Sequence, residues 1–221
     1  MRDTLARFLP DMAHLILVRH GKSAWNATGQ WTGWTDVGLV EEGLVEARRA
    51  AEQIRDIEVH HVHVSTLKRT HETWKEIQTL LGLNHLSPKA HHALNERSYG
   101  IHTGKNKWDV KKEIGDEEFQ KLRRGWDYPI PEGETMKAVH DRAVPYFKEH
   151  ILPELMGGEN VLLVGHGNTL RALVKYLEDM GDDGVSDLEF GTGEVYVYDV
   201  DASGKITGKE IRASNPNKGK V

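Results

Sequence analysis

Residues 15–21 read Leu15-Ile16-Leu17-Val18-Arg19-His20-Gly21, four aliphatic residues followed by a guanidinium, an imidazole and a residue without a side chain. An apolar run of this length between polar residues predicts a strand that is buried on both faces. His20 then lies at the carboxyl end of the strand, where open α/β sheets bind their ligands. A neutral imidazole is nucleophilic near pH 7 because its ordinary pKa is about 6.5, and the adjacent guanidinium can hold a phosphoryl group against it. We expect Gly21 to let that group approach the backbone.

A second segment repeats this design. Residues 160–164 form an apolar strand pattern, and His166 follows between two glycines. Asn168 is expected to cap a helix that starts near Thr169, whose free N–H groups and positive dipole end favour an anion nearby. An Arg-His-Gly tripeptide alone more often marks an ordinary surface histidine, so the second histidine is what indicates a site.

Alternating strand and helix patterns predict the fold. Strands are expected at residues 15–18, 59–64 and 160–164 and in a terminal hairpin of residues 194–200 and 205–211. Helices are expected at residues 40–54, 65–81, 107–114, 117–124, 135–155 and 169–180. Ser65 would cap the second helix, Gly82 would end it, and Pro145 would bend the fifth. The pattern indicates an α/β fold with three layers (α/β/α) and a mostly parallel central sheet, in a single domain over residues 1–221 with flexible ends at 1–13 and 213–221.

Composition excludes several classes of protein. The net charge of −5 argues against a broad basic surface for nucleic acid. The absence of cysteine excludes disulfides, zinc–thiolate sites and a thiol nucleophile. No apolar stretch approaches the roughly 20 residues of a membrane span, and the first residues lack the apolar core of a signal peptide. We therefore expect a cytoplasmic protein with neither nucleic acid nor membrane as a partner.

Six sequence blocks occur in an order that is typical of one family. They read LVRHGKSAWN at 17–26, WTGWTD at 31–36, STLKR at 65–69, LNERSYG at 94–100, RRG at 123–125 and GHGN at 165–168. With these blocks the chain resembles the cofactor-dependent phosphoglycerate mutases of the histidine phosphatase superfamily. The LNERSYG and TGW blocks point to the mutase branch more specifically than the shared Arg-His-Gly does. A phosphoglycerate mutase-like fold is the implied architecture.

The resemblance implies a glycolytic and gluconeogenic reaction that interconverts 3-phosphoglycerate and 2-phosphoglycerate. It implies that His20 carries a phosphohistidine, that Arg19, Arg69 and His166 neutralise the transferring oxygens, and that Glu96 moves the proton of the substrate hydroxyl. It also implies 2,3-bisphosphoglycerate as primer and intermediate, no metal, and small phosphorylated metabolites as partners. The resemblance leaves the oligomeric state open, and a homodimer is our expectation. The implied substrate contacts are Arg19, Asn26, Thr32, Gly33, Arg69, Glu96, Tyr99, Lys107, Arg123, Arg124, Gly167 and Asn168.

Three departures from the family pattern leave a phosphatase as an alternative. Lys22 stands where the family commonly has Glu, the connection at residues 126–135 is short, and so is the segment after Ile211. In the family this last segment helps to cover the site. A less covered phosphohistidine meets water more often, because closure is what excludes hydrolysis.

Two other classes of protein stay open at this point. A non-catalytic phosphoanion-binding module would keep the fold but would not need His20 for its activity. A metal hydrolase would rest on His60, His61 and His63. Alternation along the strand would place His61 and His63 on one face, but no carboxylate at a recognisable ligand spacing accompanies them.

Overall fold

The computed structural model describes residues 12–215, and its sheet is built around the strand that contains residues 15–18. The strands are β1 (Met12–Arg19), β2 (His61–Val64), β3 (Lys89–Ala90), β4 (Val161–Gly165), β5 (Val195–Asp201) and β6 (Ile206–Ala213). Their order is β3-β2-β4-β1-β5-β6. β1 to β4 are mutually parallel, whereas β5 runs antiparallel to both of its neighbours. The mostly parallel sheet predicted from the sequence is confirmed.

Helices connect the strands and follow most of the predicted spans. They are α1 (Ala24–Ala27), α2 (Glu41–Gln53), α3 (Lys68–Leu81), α4 (Lys107–Ile114), α5 (Asp116–Arg124), α6 (Met136–Tyr146), α7 (Leu152–Met156), α8 (Gly167–Leu177) and α9 (Gly184–Asp187). Gly82 ends α3 in the left-handed conformation, with φ of 70°, as expected.

The side chains of β1 alternate between two hydrophobic clusters. Leu15 and Leu17 pack in the cluster that contains residues of α6 and α8. Ile16 and Val18 pack in the cluster that contains residues of α2 and α3. The strand is therefore buried on both faces, and the three-layer α/β/α arrangement is confirmed.

Register places the two strand-end histidines side by side. β1 pairs with β4 so that Arg19 lies opposite Gly165. The amide of His20 continues the ladder and donates to the carbonyl of Gly165 at 3.0 Å. Two histidines 146 positions apart in the chain, His20 and His166, consequently meet at one edge of the sheet.

The predicted helix at residues 135–155 is divided rather than simply bent. α6 ends one residue after Pro145, a π-helical turn covers Phe147–Ile151, and α7 follows. Pro145 has no amide hydrogen to donate to the preceding turn, which disturbs the regular α-helical ladder at this point.

The chain ends depart from the predicted flexible segments. Met12 and Ala13 belong to β1 and Ala213 to β6, and Ala13 is fully buried in the core. Asn215, expected in a disordered tail, is also buried and donates its side-chain amide to Glu46. The other predicted flexible positions, 1–11 and 216–221, lie outside the described residues. Between residues 12 and 215 no helix is long and apolar enough to cross a membrane.

Candidate active site

A cavity of about 230 Å³ opens at the carboxyl ends of β1 and β4. It collects side chains from sequence blocks that lie up to 149 positions apart, between Arg19 and Asn168. The predicted site residues that line it are Arg19, His20, Asn26, Thr32, Gly33, Arg69, Glu96, Tyr99, Lys107, Arg123, Arg124, Gly167 and Asn168. His166 is the remaining predicted residue, and its ring lies against that of His20 with centroids 5.0 Å apart.

His20 presents one unprotonated ring nitrogen. Its Nδ1 lies 2.7 Å from the carbonyl oxygen of Gly21. A carbonyl only accepts hydrogen bonds, so Nδ1 carries the proton and Nε2 keeps its lone pair. Burial lowers the pKa of His20 well below its ordinary value, and the charges of Arg69 and Arg19 lower it further. The imidazole is therefore neutral and nucleophilic throughout the physiological pH range.

Gly21 serves a different purpose from the one expected. A Cβ at this position would lie 2.1 Å from the carbonyl oxygen of Gly43 in α2. The amide of Gly21 donates to Thr73 Oγ1 at 3.1 Å. Gly21 thus allows α2 to pack closely against the loop after β1, rather than letting a ligand approach the backbone.

His166 is a second neutral imidazole. Its Nε2 forms a hydrogen bond of 2.7 Å with Ser65 Oγ, and its Nδ1 is buried without a partner among residues 12–215. Burial lowers the pKa of His166 well below its ordinary value, and the charge of Arg69 lowers it further. Ser65, expected to cap α3, instead accepts from the amide of Leu67, and α3 begins only at Lys68. The Ser65 hydroxyl therefore orients His166 and does not cap a helix.

Two arginines flank His20, and each is fixed by backbone carbonyls. Arg19 Nη1 donates to the carbonyl of Phe190 at 2.6 Å. Arg69 is almost fully buried and donates to the carbonyls of Thr35 at 3.1 Å and Gly33 at 2.9 Å. Burial lowers the pKa of Arg69 to about 10, so it keeps its charge at neutral pH. These anchored guanidiniums provide fixed positive charge without reorganisation.

Further cations line the cavity away from His20. Burial lowers the pKa of Lys107 to about 7, and the charges of Arg19 and Arg123 lower it further. Burial also lowers the pKa of Arg123, and it lowers that of Arg124 to about 10. Arg124 forms an ion pair with Glu189. Such a concentration of buried positive charge favours the binding of an anion.

Glu96 contributes the carboxylate of the site. Its Oε1 accepts hydrogen bonds from the amide of Arg97 at 2.7 Å and from the amide and side chain of Asn168 at 3.2 and 3.1 Å. These donors fix one oxygen and leave Oε2 unengaged by the described part of the chain. Asn168 Nδ2 also donates to Tyr99 Oη at 2.7 Å. Burial and the charge of Glu96 raise the pKa of Tyr99, which keeps its phenol protonated.

The cap predicted for α8 was wrong. The N-cap is His166, and Asn168 is the second residue of the helix. The carboxylate of Glu96 accepts the amide of Asn168, so one free N–H group of the helix start is already occupied by an anion of the protein itself. The Asn168 side chain is consequently available for Glu96 and Tyr99.

Asn26 and Thr32 also line the cavity. Asn26 Oδ1 accepts from the amide and hydroxyl of Ser23, at 3.2 and 2.8 Å, which directs its amide nitrogen away from Ser23. The Thr32 hydroxyl is buried and has no hydrogen-bonding partner within residues 12–215. Arg19 Nε is in the same condition. Buried donors without partners are what a bound ligand would satisfy.

Sequence reasoning missed several residues of the site. Arg171, Glu189 and Phe190 line the cavity, as do Trp31 and Thr192. Arg171 had a local signal, because it lies three residues after Asn168 and therefore on the same face of α8. The others follow loops whose path the sequence patterns do not predict.

The histidines of β2 have structural partners. His63 is fully buried and bridges Tyr146 Oη and Glu154 Oε2, each at 2.9 Å. His61 faces the same carboxylate, with its Nδ1 3.8 Å from Glu154 Oε1, which confirms that His61 and His63 share a face. His60 instead accepts from the amide of Asn160. Among the described residues no group of three or more His, Cys, Asp or Glu is placed to hold a metal ion.

Comparison with known proteins gives a consistent family. The family model described as histidine phosphatase superfamily (branch 1) matches residues 15–209. A 2,3-bisphosphoglycerate-dependent phosphoglycerate mutase of Parvibaculum lavamentivorans is 40% identical over 199 residues, which cover 89% of this chain and 95% of the relative. A phosphoglycerate mutase of Schizosaccharomyces pombe is 39% identical over 199 residues, covering 89% and 94%.

Solved structures share the fold at lower identity. A structure named mycobacterial hydrolase 1 superposes with a TM-score of 0.80 at 22% identity and covers 92% of this chain and all of its own. The phosphoglycerate mutase of Bacillus anthracis superposes with a TM-score of 0.73 at 24% identity, covering 89% and 91%. The phosphoglycerate mutase-like fold expected from the sequence is confirmed.

Proposed function

The chain belongs to the histidine phosphatase superfamily (branch 1), and from this premise we propose that it is a 2,3-bisphosphoglycerate-dependent phosphoglycerate mutase. It would interconvert 3-phosphoglycerate and 2-phosphoglycerate. The observation that carries the proposal is one cavity in which a nucleophilic imidazole and a carboxylate lie among fixed cations. Relatives that are 35–40% identical over about nine tenths of the chain carry the same name.

His20 acts as the nucleophile in this proposal. Its Nε2 lone pair attacks phosphorus, a P–N bond forms, and the bond from phosphorus to the leaving oxygen breaks. Arg19, Arg69 and His166 surround the transferring group and neutralise its oxygens. A phosphate dianion between these groups favours the protonated form of His166, which could then donate from Nδ1.

Glu96 moves the proton in both directions. It gives a proton to the leaving oxygen when His20 is phosphorylated, and it removes the proton of the other hydroxyl when the phosphoryl group returns to substrate. Since three N–H donors occupy Oε1, Oε2 is the oxygen left to exchange a proton with the substrate. Tyr99 and Asn168 hold the substrate beside it.

The cationic lining fits a doubly phosphorylated cofactor. When bound, 2,3-bisphosphoglycerate supplies the phosphoryl group that primes His20. Arg123, Arg124 and Lys107 would hold the second anionic group, and Asn26 and Thr32 would donate neutral hydrogen bonds to it. Gly33 has a positive φ of 51°, and a Cβ there would lie 3.3 Å from the amide nitrogen of Tyr99, so glycine lets this loop pack closely against a residue of the cavity. A Cβ at Gly167 would lie 3.4 Å from Arg19 Cζ, against the guanidinium that holds the phosphoryl group.

Phosphorus NMR tests the proposal directly. The protein is given 3-phosphoglycerate and a chelator, with and without a trace of 2,3-bisphosphoglycerate, and every phosphorylated product is followed. We expect rapid, primer-dependent formation of 2-phosphoglycerate with little inorganic phosphate. Dominant release of phosphate would overturn the mutase in favour of the phosphatase alternative. Turnover that the chelator abolishes would support a metal hydrolase. Binding of 3-phosphoglycerate without formation of any product would support a binding module.

The same proposal includes the cellular setting. A glycolytic mutase acts where its small phosphorylated substrates are, so we assign the enzyme to the cytoplasm. The homodimer stays a prediction, which sedimentation equilibrium can test.

A further inference from the structure

Arg171 is a buried cation of the cavity wall with a specific set of contacts. Only 4% of the residue is exposed. Its Nη1 donates to Asn168 Oδ1 at 3.0 Å, and its Nη2 donates to the carbonyl of Val185 at 2.6 Å. Burial lowers the pKa of Arg171 to about 9, which leaves it charged at neutral pH. We propose that Arg171 is a positioning residue, which orients the Asn168 amide and through it the Glu96 carboxylate and the Tyr99 hydroxyl.

The hydrogen-bonding partners of a primary amide determine its orientation. The oxygen and nitrogen of an Asn side chain have nearly the same shape, so only hydrogen-bonding partners decide which way the group points. Arg171 is donor-only and engages Oδ1. Asn168 Nδ2 is thereby directed to Glu96 Oε1 and Tyr99 Oη, at 3.1 and 2.7 Å.

The opposite orientation would harm Glu96. A flipped amide would place Asn168 Oδ1 against Glu96 Oε1, so that two acceptors would meet without a proton between them. The carboxylate would lose one of its three donors and would turn, which moves Oε2 relative to the substrate oxygen. A displacement of about 1 Å from the reacting geometry is enough to cost about 10²-fold in rate.

The orientation also sets the role of Tyr99. Its oxygen accepts from Asn168 Nδ2, and no described residue accepts its proton. With its pKa raised by burial, the phenol keeps that proton and can donate it to a ligand. If the amide were flipped, the phenol would instead donate to Asn168 Oδ1, and the donor would be lost to the substrate.

This inference rests on the proposed function, and a double-mutant cycle tests it. Arg171→Met, Asn168→Ala and the double variant are compared in the mutase assay. We expect Arg171→Met to lower kcat about 10²-fold, because the Glu96 carboxylate is misplaced, and to raise KM by a smaller factor, because the Tyr99 donor is lost. Since Arg171 acts through Asn168, the double variant should be no slower than the slower single variant.

Two further variants keep the test decisive. Arg171→Lys retains a buried cation but replaces the planar guanidinium with a compact ammonium group, so it should recover only part of kcat. It also replaces Arg171→Met in the test if that variant does not fold. Arg212→Met removes a guanidinium that donates to the carbonyl of Gln53 far from the cavity, and it should keep wild-type kcat.

Several results would overturn the inference. A raised KM with unchanged kcat would make Arg171 a substrate-binding group, and additive losses in the double variant would show that it acts independently of Asn168. A wild-type protein that forms no 2-phosphoglycerate would overturn the proposed function instead. In that case the rate of each variant relative to wild type is measured from the release of inorganic phosphate. This reaction also needs Glu96 as proton donor.

Discussion

Lys107 is the cation of the cavity whose charge depends most on pH. Burial brings its pKa to about 7, whereas that of Arg69 stays at about 10 and that of Arg171 at about 9. Its Nζ lies 5.5 Å from the centre of the Trp31 ring, an arrangement that favours the charged form but does not replace lost hydration. Lys107 is therefore half charged near neutral pH, while the arginines stay fully charged.

The affinity for phosphoglycerate should fall as pH rises through about 7. The free protein loses the Lys107 charge as pH rises. Binding of the anionic substrate then requires that Lys107 take up a proton, so KM increases. In Lys107→Arg the charge is permanent, and KM should become nearly constant over the same range. Steady-state kinetics at several pH values check this. A wild-type KM that stays flat through pH 7 would contradict the titration of Lys107.

Glu96→Gln isolates proton transfer at the same scale. Gln keeps the shape of the side chain, and its carbonyl oxygen can still accept from the amides of Arg97 and Asn168. We expect turnover to fall by about 10² to 10⁴, with KM little changed, because the acid–base group is lost but the fold is retained. The measurement is kcat with saturating primer. Unchanged turnover would remove Glu96 from the mechanism.

At the scale of elements, a hydrogen-bonded bridge joins β2 to the end of α6 and to α7. His63 in β2 contacts Tyr146 on one ring nitrogen and Glu154 on the other. Burial and Glu154 raise the pKa of Tyr146 to about 12, so the phenol stays protonated. This bridge therefore ties β2 to the helical segments on both sides of the π-helical turn.

Tyr146→Phe should therefore reduce stability without reducing catalysis. The substitution leaves the fully buried His63 Nδ1 without a partner, which costs about 1–3 kcal/mol. Urea unfolding measures the loss, and kcat should be unchanged because the bridge lies outside the cavity. Tyr176→Phe is the matched control. Tyr176 is a partly buried tyrosine that packs on the same core cluster, and its hydroxyl takes no part in the bridge. A drop in kcat at equal folded fraction would link the bridge to the site.

These elements show what the sequence can and cannot predict. Hydrophobic periodicity was sufficient to predict β1, the strand that ends just before His20, and to predict its burial on both faces. Local rules failed where a long-range partner competed: Ser65 serves His166 instead of capping α3, and Asn168 enters the helix because Glu96 accepts its amide. Glu154, the carboxylate beside His61 and His63, comes from 91 positions beyond His63, a separation that no spacing rule covers.

For the whole molecule, the main electrostatic feature is the contrast between net charge and cavity charge. The chain carries a net charge of −5, yet its cavity gathers buried arginines and a buried lysine. Like charges held together in a low-dielectric space repel, so the empty cavity opposes folding. The surrounding negative charge repels large anions, while the focused positive potential attracts small ones. Stability and ligand selection are thus coupled through the same residues.

Inorganic phosphate should therefore stabilise the folded protein specifically. A ligand that binds only the native state adds about 2.7 kcal/mol at a hundred times its dissociation constant. We expect thermal unfolding to shift upward with phosphate far more than with sodium chloride of equal ionic strength, since salt only screens the repulsion. Arg69→Met should lose most of the phosphate-specific shift, because the variant lacks a cation beside His20. Arg212→Met should retain it, because Arg212 contacts the last residue of α2 and does not line the cavity. Equal stabilisation by phosphate and chloride would show that the cavity relieves its repulsion by screening alone, without a specific anion site.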